Sequence, residues 1–408
     1  MTDRKGYLPQ IATVVAVILA AAANQQVLAA DADVDAADSG SGLSEVIVTG
    51  TRQKGVDVAS SAAPIQVIGG DQLAATGKGT LVDALAQLVP SFQAQAFGGD
   101  MANQTLQARL RGLSPNHTLV LVDGKRRHTT ASLAVLSGSP YSGGAGVDLN
   151  FIPMALVDHI EVLTEGAAAQ YGSDAIAGVI NIILKKNKSG GNIDATYGGF
   201  FDGGGQTTKV EAEAGFAPAD NVYFELTGSV YNHGHTTRGG PDPRALDPAS
   251  YPDTNMSLLA NSPYINYIEG DGEVHQKLVG FNTGIKFSEL AEVYAFGTYG
   301  YKNAASYENY RVPSKVSYTD GTNPDAGTVV TYPFPNGFNP LEQSKEDDFQ
   351  LTVGVKGGIG DWTWDLATAY GEDHMNIYTI NSANASLYAD YGATATNFYD
   401  GKFIATQA

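Results

Sequence analysis

Beyond Gly191 the chain alternates apolar and polar residues with a period of two. Val210, Ala212, Ala214 and Phe216 alternate with Lys209, Glu211 and Glu213, and Val222, Phe224, Leu226 and Val230 with Tyr223, Glu225, Thr227, Ser229 and Tyr231. The same period runs through Val279, Phe281, Ile285 and Phe287, through Phe349, Leu351, Val353, Val355 and Ile359, and through Trp362, Trp364 and Leu366. Side chains of a strand point to opposite faces in turn, so each run predicts a strand with one apolar and one polar flank. Each run is about ten residues, the length a tilted strand needs to cross a bilayer. Short links at Pro218-Ala219-Asp220 and Gly360-Asp361 contrast with long polar stretches over His233–Val274 and Val312–Asp348. Short turns at one rim and long loops at the other are the pattern of an outer-membrane β-barrel. A soluble β-sandwich also alternates; the loop asymmetry, the aromatic content and the N-terminus described below favour the barrel.

From Leu43 to about Lys188 the pattern is mixed. β-rich runs occur at Glu45–Thr49, Ile65–Ile68, Thr118–Val122, His159–Thr164 and Gly178–Leu184. Between them Thr80 precedes LVDALAQLVP, which predicts a helix with Leu81, Leu85 and Leu88 on one face and Pro90 as its stop. Asp123-Gly124 follows an apolar run and predicts a tight hairpin turn. The segment reads as mixed α/β and is the size of one domain.

The N-terminus is an export signal. Arg4 and Lys5 precede an apolar run from Ile11 to Ala23, and Val27-Leu28-Ala29-Ala30 closes it with small residues. The run is shorter than the ~20 residues of a spanning helix, so residues 1–30 are read as a signal peptide that is removed. Residues 31–42, DADVDAADSGSG, form an acidic linker; Ala36 and Gly42 stand where a calcium loop needs glycine and glutamate.

Composition narrows the function. Twenty-four Lys and Arg against 43 Asp and Glu give a net charge of −19 over 408 residues, which argues against a nucleic-acid partner. With no cysteine there is no disulfide scaffold, thiolate nucleophile or Cys-ligated zinc site. No G-x-S-x-G elbow occurs, and the dispersed acidic residues suggest no catalytic pair. Thr76-Gly77-Lys78-Gly79-Thr80 lacks the leading glycine and the Ser/Thr of a phosphate loop. His233-Gly234-His235 falls in a predicted outer loop and is read as solvated histidines. No enzyme, metal site or cofactor is expected.

Three segments resemble one family. Ser44–Arg52 (SEVIVTGTR), Leu106–Arg126 (LQARLRGLSPNHTLVLVDGKR) and Asp158–Lys186 (DHIEVLTEGAAAQYGSDAIAGVINIILKK) are similar to the plug of TonB-dependent outer-membrane receptors. The resemblance implies an α+β plug domain followed by antiparallel transmembrane β-barrel strands, in a cell outer membrane of Gram-negative type. Residues 43–50 would hold the TonB box, 51–190 the plug, and 191–408 the N-terminal part of the barrel. Glu45, Val46, Ile47, Val48 and Thr49 would bind TonB, by strand addition from a flexible linker. Arg109, Arg111 and Gly112 match the family's R-x-R-G, whose arginines pair with barrel glutamates and latch the plug. Glu161 and Glu165-Gly166 match I-E-V-x-x-G, and Tyr171, Gly172, Ala175, Gly178 and Asn181 match Y-G-x-x-A-x-x-G-x-x-N, a scaffolding role. Tyr223, Glu225 and Tyr231 would face the lumen and line a substrate path. The expected partners are TonB, outer-membrane lipid and a small-molecule ligand such as a ferric siderophore or a carbohydrate, taken up by a monomer.

The strand count raises one difficulty. Seven alternating runs, with one more after His374, give about eight strands, and an eight-stranded barrel is filled by its own side chains. A plug with a radius of gyration of roughly 15 Å could not sit inside. The expectation is therefore an incomplete barrel, the N-terminal part of a longer receptor. The alternative class is an exported structural or adhesive β-protein without transport, for which the Glu45–Gly50 segment would be dispensable.

Overall fold

The computed structural model describes residues 65–94, 104, 106–133, 141–164, 169, 171–247, 261–320, 329–331, 334–360, 362–383 and 401–407. The signal segment, the acidic linker, the Glu45–Gly50 stretch and Glu165-Gly166 lie outside the described residues.

The first domain folds around one mixed sheet. Strand β1 (Ile65–Gly69) leads into helices α1 (Gly70–Ala75) and α2 (Leu81–Leu88). Helix α2 starts where the sequence predicts. The Thr80 hydroxyl accepts the Asp83 N–H at 3.2 Å, which satisfies one orphan donor of the first turn. Leu81 and Leu85 are buried on one face. A short ladder of β2 (Phe92–Gln93) and β3 (Arg109–Leu110) follows. Then come β4 (Thr118–Val122), β5 (Lys125–Arg126), β6 (Val157–Leu163) and β7 (Gly178–Leu184). The sheet order is β1-β6-β7-β4-β5, with β4 and β7 parallel and the other pairs antiparallel. The predicted β4–β5 hairpin closes on Asp123 and Gly124, at φ 45° and 74°; both central residues are left-handed, as this tightest turn demands. Ile160, Ile180, Ile182, Leu110 and Leu85 fill the core between sheet and helices.

The second part is a single antiparallel sheet. Its strands are β8 (Gly191–Gly198), β9 (Thr207–Phe216), β10 (Val222–His233), β11 (Glu273–Ser288) and β12 (Ala291–Tyr307). A small hairpin, β13 (Tyr318–Asp320) with β14 (Val329–Thr331), lies in the next long link and forms its own sheet. Strands β15 (Leu341–Ile359), β16 (Trp362–Ile380) and β17 (Gly401–Gln407) then complete an eight-stranded order, β17-β16-β15-β12-β11-β10-β9-β8. Among the described residues β8 and β17 each pair on one side only, so the sheet is open. The links after β9, β11 and β15 are short and those after β10, β12 and β16 are long, which sorts them onto two rims.

Strands β11, β12, β15 and β16 are 16, 17, 19 and 19 residues long, against the ten expected from alternation. At about 3.3 Å per residue they continue past any bilayer band toward the long loops.

The two flanks invert a soluble protein's pattern. Phe287, Ile359, Trp362, Leu366 and Tyr370 are exposed on the outer flank. On the inner flank Glu225, Thr227, Glu346, Thr352 and Asp373 are fully or almost fully buried. What buries them is the first domain. Tyr294 and Phe296 of β12 belong to the same apolar cluster as Leu156, Ile160 and Leu184.

Candidate functional site at the interface of plug and wall

The inner face of the sheet holds the first domain through charged contacts. Arg127, just after β5, has a side chain as buried as that of its partner Asp348 on β15, and its guanidinium also donates to Thr298 Oγ1 at 3.0 Å and to Gln350 Oε1 at 3.3 Å. Lys302 of β12 reaches Asp148 of the first domain and Glu346 of the wall, each at 2.7 Å. Thr130 donates its hydroxyl to Asp373 Oδ2 at 3.0 Å, and the Ala131 N–H donates to the same oxygen at 2.7 Å. Lys125 pairs with Asp365 of β16, and Lys185 with Glu213 of β9, both at 2.7 Å. The Asn187 N–H donates to Glu225 Oε2 at 3.2 Å. A buried pair is costly to break on one side, because it strands a charge away from water.

Among the described residues, two sizeable cavities lie between domain and wall. One, of 1340 Å³, opens at the rim of short links and is lined by Asp123, Lys186, Tyr223, Tyr294, Trp364 and Asp365, among others. Burial pushes the Asp123 carboxyl above its ordinary value, although Lys186 lies 3.7 Å away. The other, of 520 Å³, opens at the rim of long loops between the Gly77–Thr80 turn and Tyr197, Tyr231, His233 and Gln276.

The residues singled out from sequence fall into place unevenly. Tyr223 and Tyr231 line the two cavities, and Glu225 is buried between them. Arg109 stacks over the Tyr141 ring at 4.4 Å, and Arg111 donates to the Ile176 and Ala177 carbonyls, the latter at 3.0 Å. These contacts lie inside the first domain. The described pairs that cross to the wall use Lys125, Arg127, His128, Lys185 and Lys302, which the motif did not nominate. Lys302, Glu346 and Asp348 are charges at inward-facing positions of β12 and β15, which mark contacts only once the plug is known to lie against them. Gly112 and Gly172 sit at turns with φ of 70° and 97°, and Tyr171 packs against the Val179 cluster. Glu161 and Asn181 are buried on adjacent strands, the Asn181 amide donating to Glu161 Oε2 at 2.9 Å while Asn181 Oδ1 accepts the Gly124 N–H at 3.1 Å. Gly178 has φ 136° and a Cβ there would lie 2.4 Å from the Leu163 carbonyl oxygen. His233 meets Thr207 Oγ1 at 2.8 Å and Asp271 at 3.5 Å. Among the described residues no group of three His, Cys, Asp or Glu is placed to hold a metal.

A domain seated on the polar inner face of an apolar-sided antiparallel sheet is the arrangement found in part of a plugged outer-membrane barrel. Residues 57–179 match the family described as TonB-dependent Receptor Plug Domain. Over 194 residues the chain is 32% identical to the iron-regulated outer membrane virulence protein of Vibrio cholerae, a match spanning 45% of this chain and 26% of that protein. Among solved structures it is similar to the siderophore receptor PirA of Acinetobacter baumannii, with a TM-score of 0.52 and 20% identity over 85% of this chain and 44% of that one. It is also similar to the ferric enterobactin receptor PfeA of Pseudomonas aeruginosa, with a TM-score of 0.51 and 17% identity over 84% of this chain and 45% of that one. At such identities the structural likeness shows the fold. The chain spans less than half the length of these relatives. Residues 57–179 thus match a TonB-dependent receptor plug domain, and the open antiparallel sheet that follows resembles part of the barrel of such receptors.

Proposed function

We propose that this chain serves TonB-dependent uptake of a ferric chelate across the outer membrane. The carrying observation is the inverted wall: apolar residues outside, buried polar residues inside, with a plug held on the inside by ion pairs. A sheet of that kind suits lipid on one side and a watery passage on the other. The names of the relatives support iron as the cargo's metal, held within the chelate as substrate.

In this reading Glu45, Val46, Ile47, Val48 and Thr49 are the segment that TonB grips, Tyr223, Glu225 and Tyr231 belong to the substrate path, and the protein works as a monomer. Arg109, Arg111, Gly112, Glu161, Tyr171, Gly172, Gly178 and Asn181 keep the plug's shape. Lys125, Arg127, Lys185 and Lys302 join it to the wall. The test is Ile47→Pro, which removes one ladder donor from the gripped strand. In iron-starved cells the expected result is surface binding of ferric enterobactin at the unsubstituted level with uptake reduced at least tenfold. Uptake at the unsubstituted rate rejects the assignment of that segment.

A further inference from the structure

The rim of long loops carries a core of its own. In the loop after β10 a short helical turn, Pro243–Leu246, packs Ala245 against Ile265 of the same loop. Tyr310 and Val312, from the loop after β12, complete the cluster. Ala245, Ile265 and Tyr310 are buried, and their cluster is separate from the one that joins plug and wall. A buried cluster shared between two loops makes each depend on the other for its packing.

Polar contacts fasten the same two loops. The Arg244 guanidinium grips the Asp242 carboxylate with two prongs, at 2.9 and 2.6 Å, and donates to the Tyr310 carbonyl across the gap at 2.9 Å. The Tyr310 N–H donates to Asn266 Oδ1 at 3.0 Å. Within the loop after β12, Arg311 and Phe338 exchange both backbone hydrogen bonds, at 2.8 and 3.0 Å, and the Tyr310 hydroxyl donates to the Asn336 carbonyl at 2.9 Å. Asn339 then reaches in three directions. Its side-chain amide donates to the Ile265 carbonyl at 3.0 Å, and its Oδ1 accepts the Tyr267 N–H at 3.3 Å. Its backbone carbonyl accepts the side-chain amide of Asn381, the first residue after β16, at 2.6 Å. One asparagine thus joins the outer ends of three strand connections.

We propose that the loops after β10 and β12 and the exit of β16 form a single cooperative lid on the long-loop rim, tied by Asn339 and Arg244, which changes conformation as one body and not loop by loop. Opening either loop alone would expose the shared Ala245–Ile265–Tyr310 cluster and break hydrogen bonds made by the other. Opening them together spares those contacts, so the coupled motion costs less. What the lid admits rests on the transport reading above; its cooperativity does not.

Amide hydrogen exchange in the purified protein in detergent reads that coupling. The Ala245 and Asp247 amides donate to the Asp242 and Pro243 carbonyls, at 2.9 and 3.0 Å, in the loop that does not carry Asn339. In Asn339→Ala their exchange is expected to quicken by about tenfold or more, the equivalent of one or two net hydrogen bonds, and the Arg311 amide by the same factor. Arg244→Ala, made in the other loop, is expected to quicken the Phe338 amide likewise, because coupling between two sites is reciprocal. Ile160 and Ile180 in the plug core are expected to keep their rates in both variants. Acceleration confined to the loop that carries each substitution overturns the proposal, and so do unequal factors in the two loops. Neither TonB nor cargo enters this measurement. Its failure therefore leaves the transport reading standing, and a lack of ferric enterobactin uptake by cells would leave the lid standing.

Discussion

The Arg127–Asp348 pair is sequestered at the middle of the interface, with side-chain exposures of 2% and 5%. Removing one partner leaves a buried charge, a loss of about 3–5 kcal/mol in comparable pairs. Arg127→Ala should therefore loosen the plug by that order, and Asp348→Asn added to it should recover part of the loss. Urea titration of plug protection against protease measures both, and equal stability of the single and double variants would refute the latch. His159 carries a pH-dependent share of plug stability. Burial lowers its pKa, but the hydrogen bond to Asp158 at 2.6 Å and the Glu161 carboxylate at 3.5 Å outweigh that and raise it to about 9. The folded pKa lies above the ordinary 6.5, so this stabilisation is complete below about pH 6.5 and is lost as the pH rises through 9. The plug's urea midpoint should drop between pH 6 and pH 9.5, and His159→Gln should remove most of that drop while costing about 1–2 kcal/mol at pH 6. An identical drop in both proteins would exclude His159 as the titrating group.

At the scale of elements, legibility followed from what each strand faces. The β4–β5 hairpin, α2 and β7 could be read because a turn pair, a cap and an apolar run each point one way. Strands β9, β10, β11, β15 and β16 could be read because an outer apolar flank alternates with an inner polar one. Strand β12 hides from that pattern. Tyr294 and Phe296 point inward onto the plug core while Tyr299 points out, so aromatics occupy both flanks and the period of two fades. The wall cations were missed for a related reason: the motif directs attention to Arg109 and Arg111, whereas a charge at an inward position of a strand gains meaning only once the plug is known to press on it. Gly178 shows a motif residue whose role is geometric. It starts β7 at φ 136°, where a Cβ would meet the Leu163 carbonyl oxygen at 2.4 Å and Leu110 Cδ1 at 2.8 Å. Gly178→Ala should cost more than the ~1 kcal/mol of a mere propensity change, about 2–4 kcal/mol with the steric clash included. Chemical denaturation monitored by plug protection tests it, and a change below 1 kcal/mol would mean that β6 and β7 can part without loss.

At the scale of the whole molecule, the outer flank decides the environment. Val279, Ile285, Phe349, Val353, Ile359, Trp364 and Leu366 present an apolar surface across neighbouring strands, far broader than the patch a soluble monomer exposes. Trp362 and Trp364 lie next to the short-link rim, where interfacial aromatics gather at the membrane boundary. Val353 is six residues along β15 from Ile359 at that rim. At about 3.3 Å per residue and a tilt near 45°, it lies roughly 14 Å into an apolar band about 25 Å tall, close to the midplane. A lysine there has no lumen to reach, because it projects from the outer flank, while the inner flank at this level holds the buried Thr352 and the Tyr294 ring over Gly354. Val353→Lys should destabilise the bilayer-embedded protein by about 2–4 kcal/mol, whereas Ile359→Lys at the rim should cost at most about 1 kcal/mol. Folding equilibria in lipid vesicles measure the difference. Equal costs at the two positions would mean that the outer flank does not lie along a bilayer normal, and the inside and outside of this wall would have to be assigned anew.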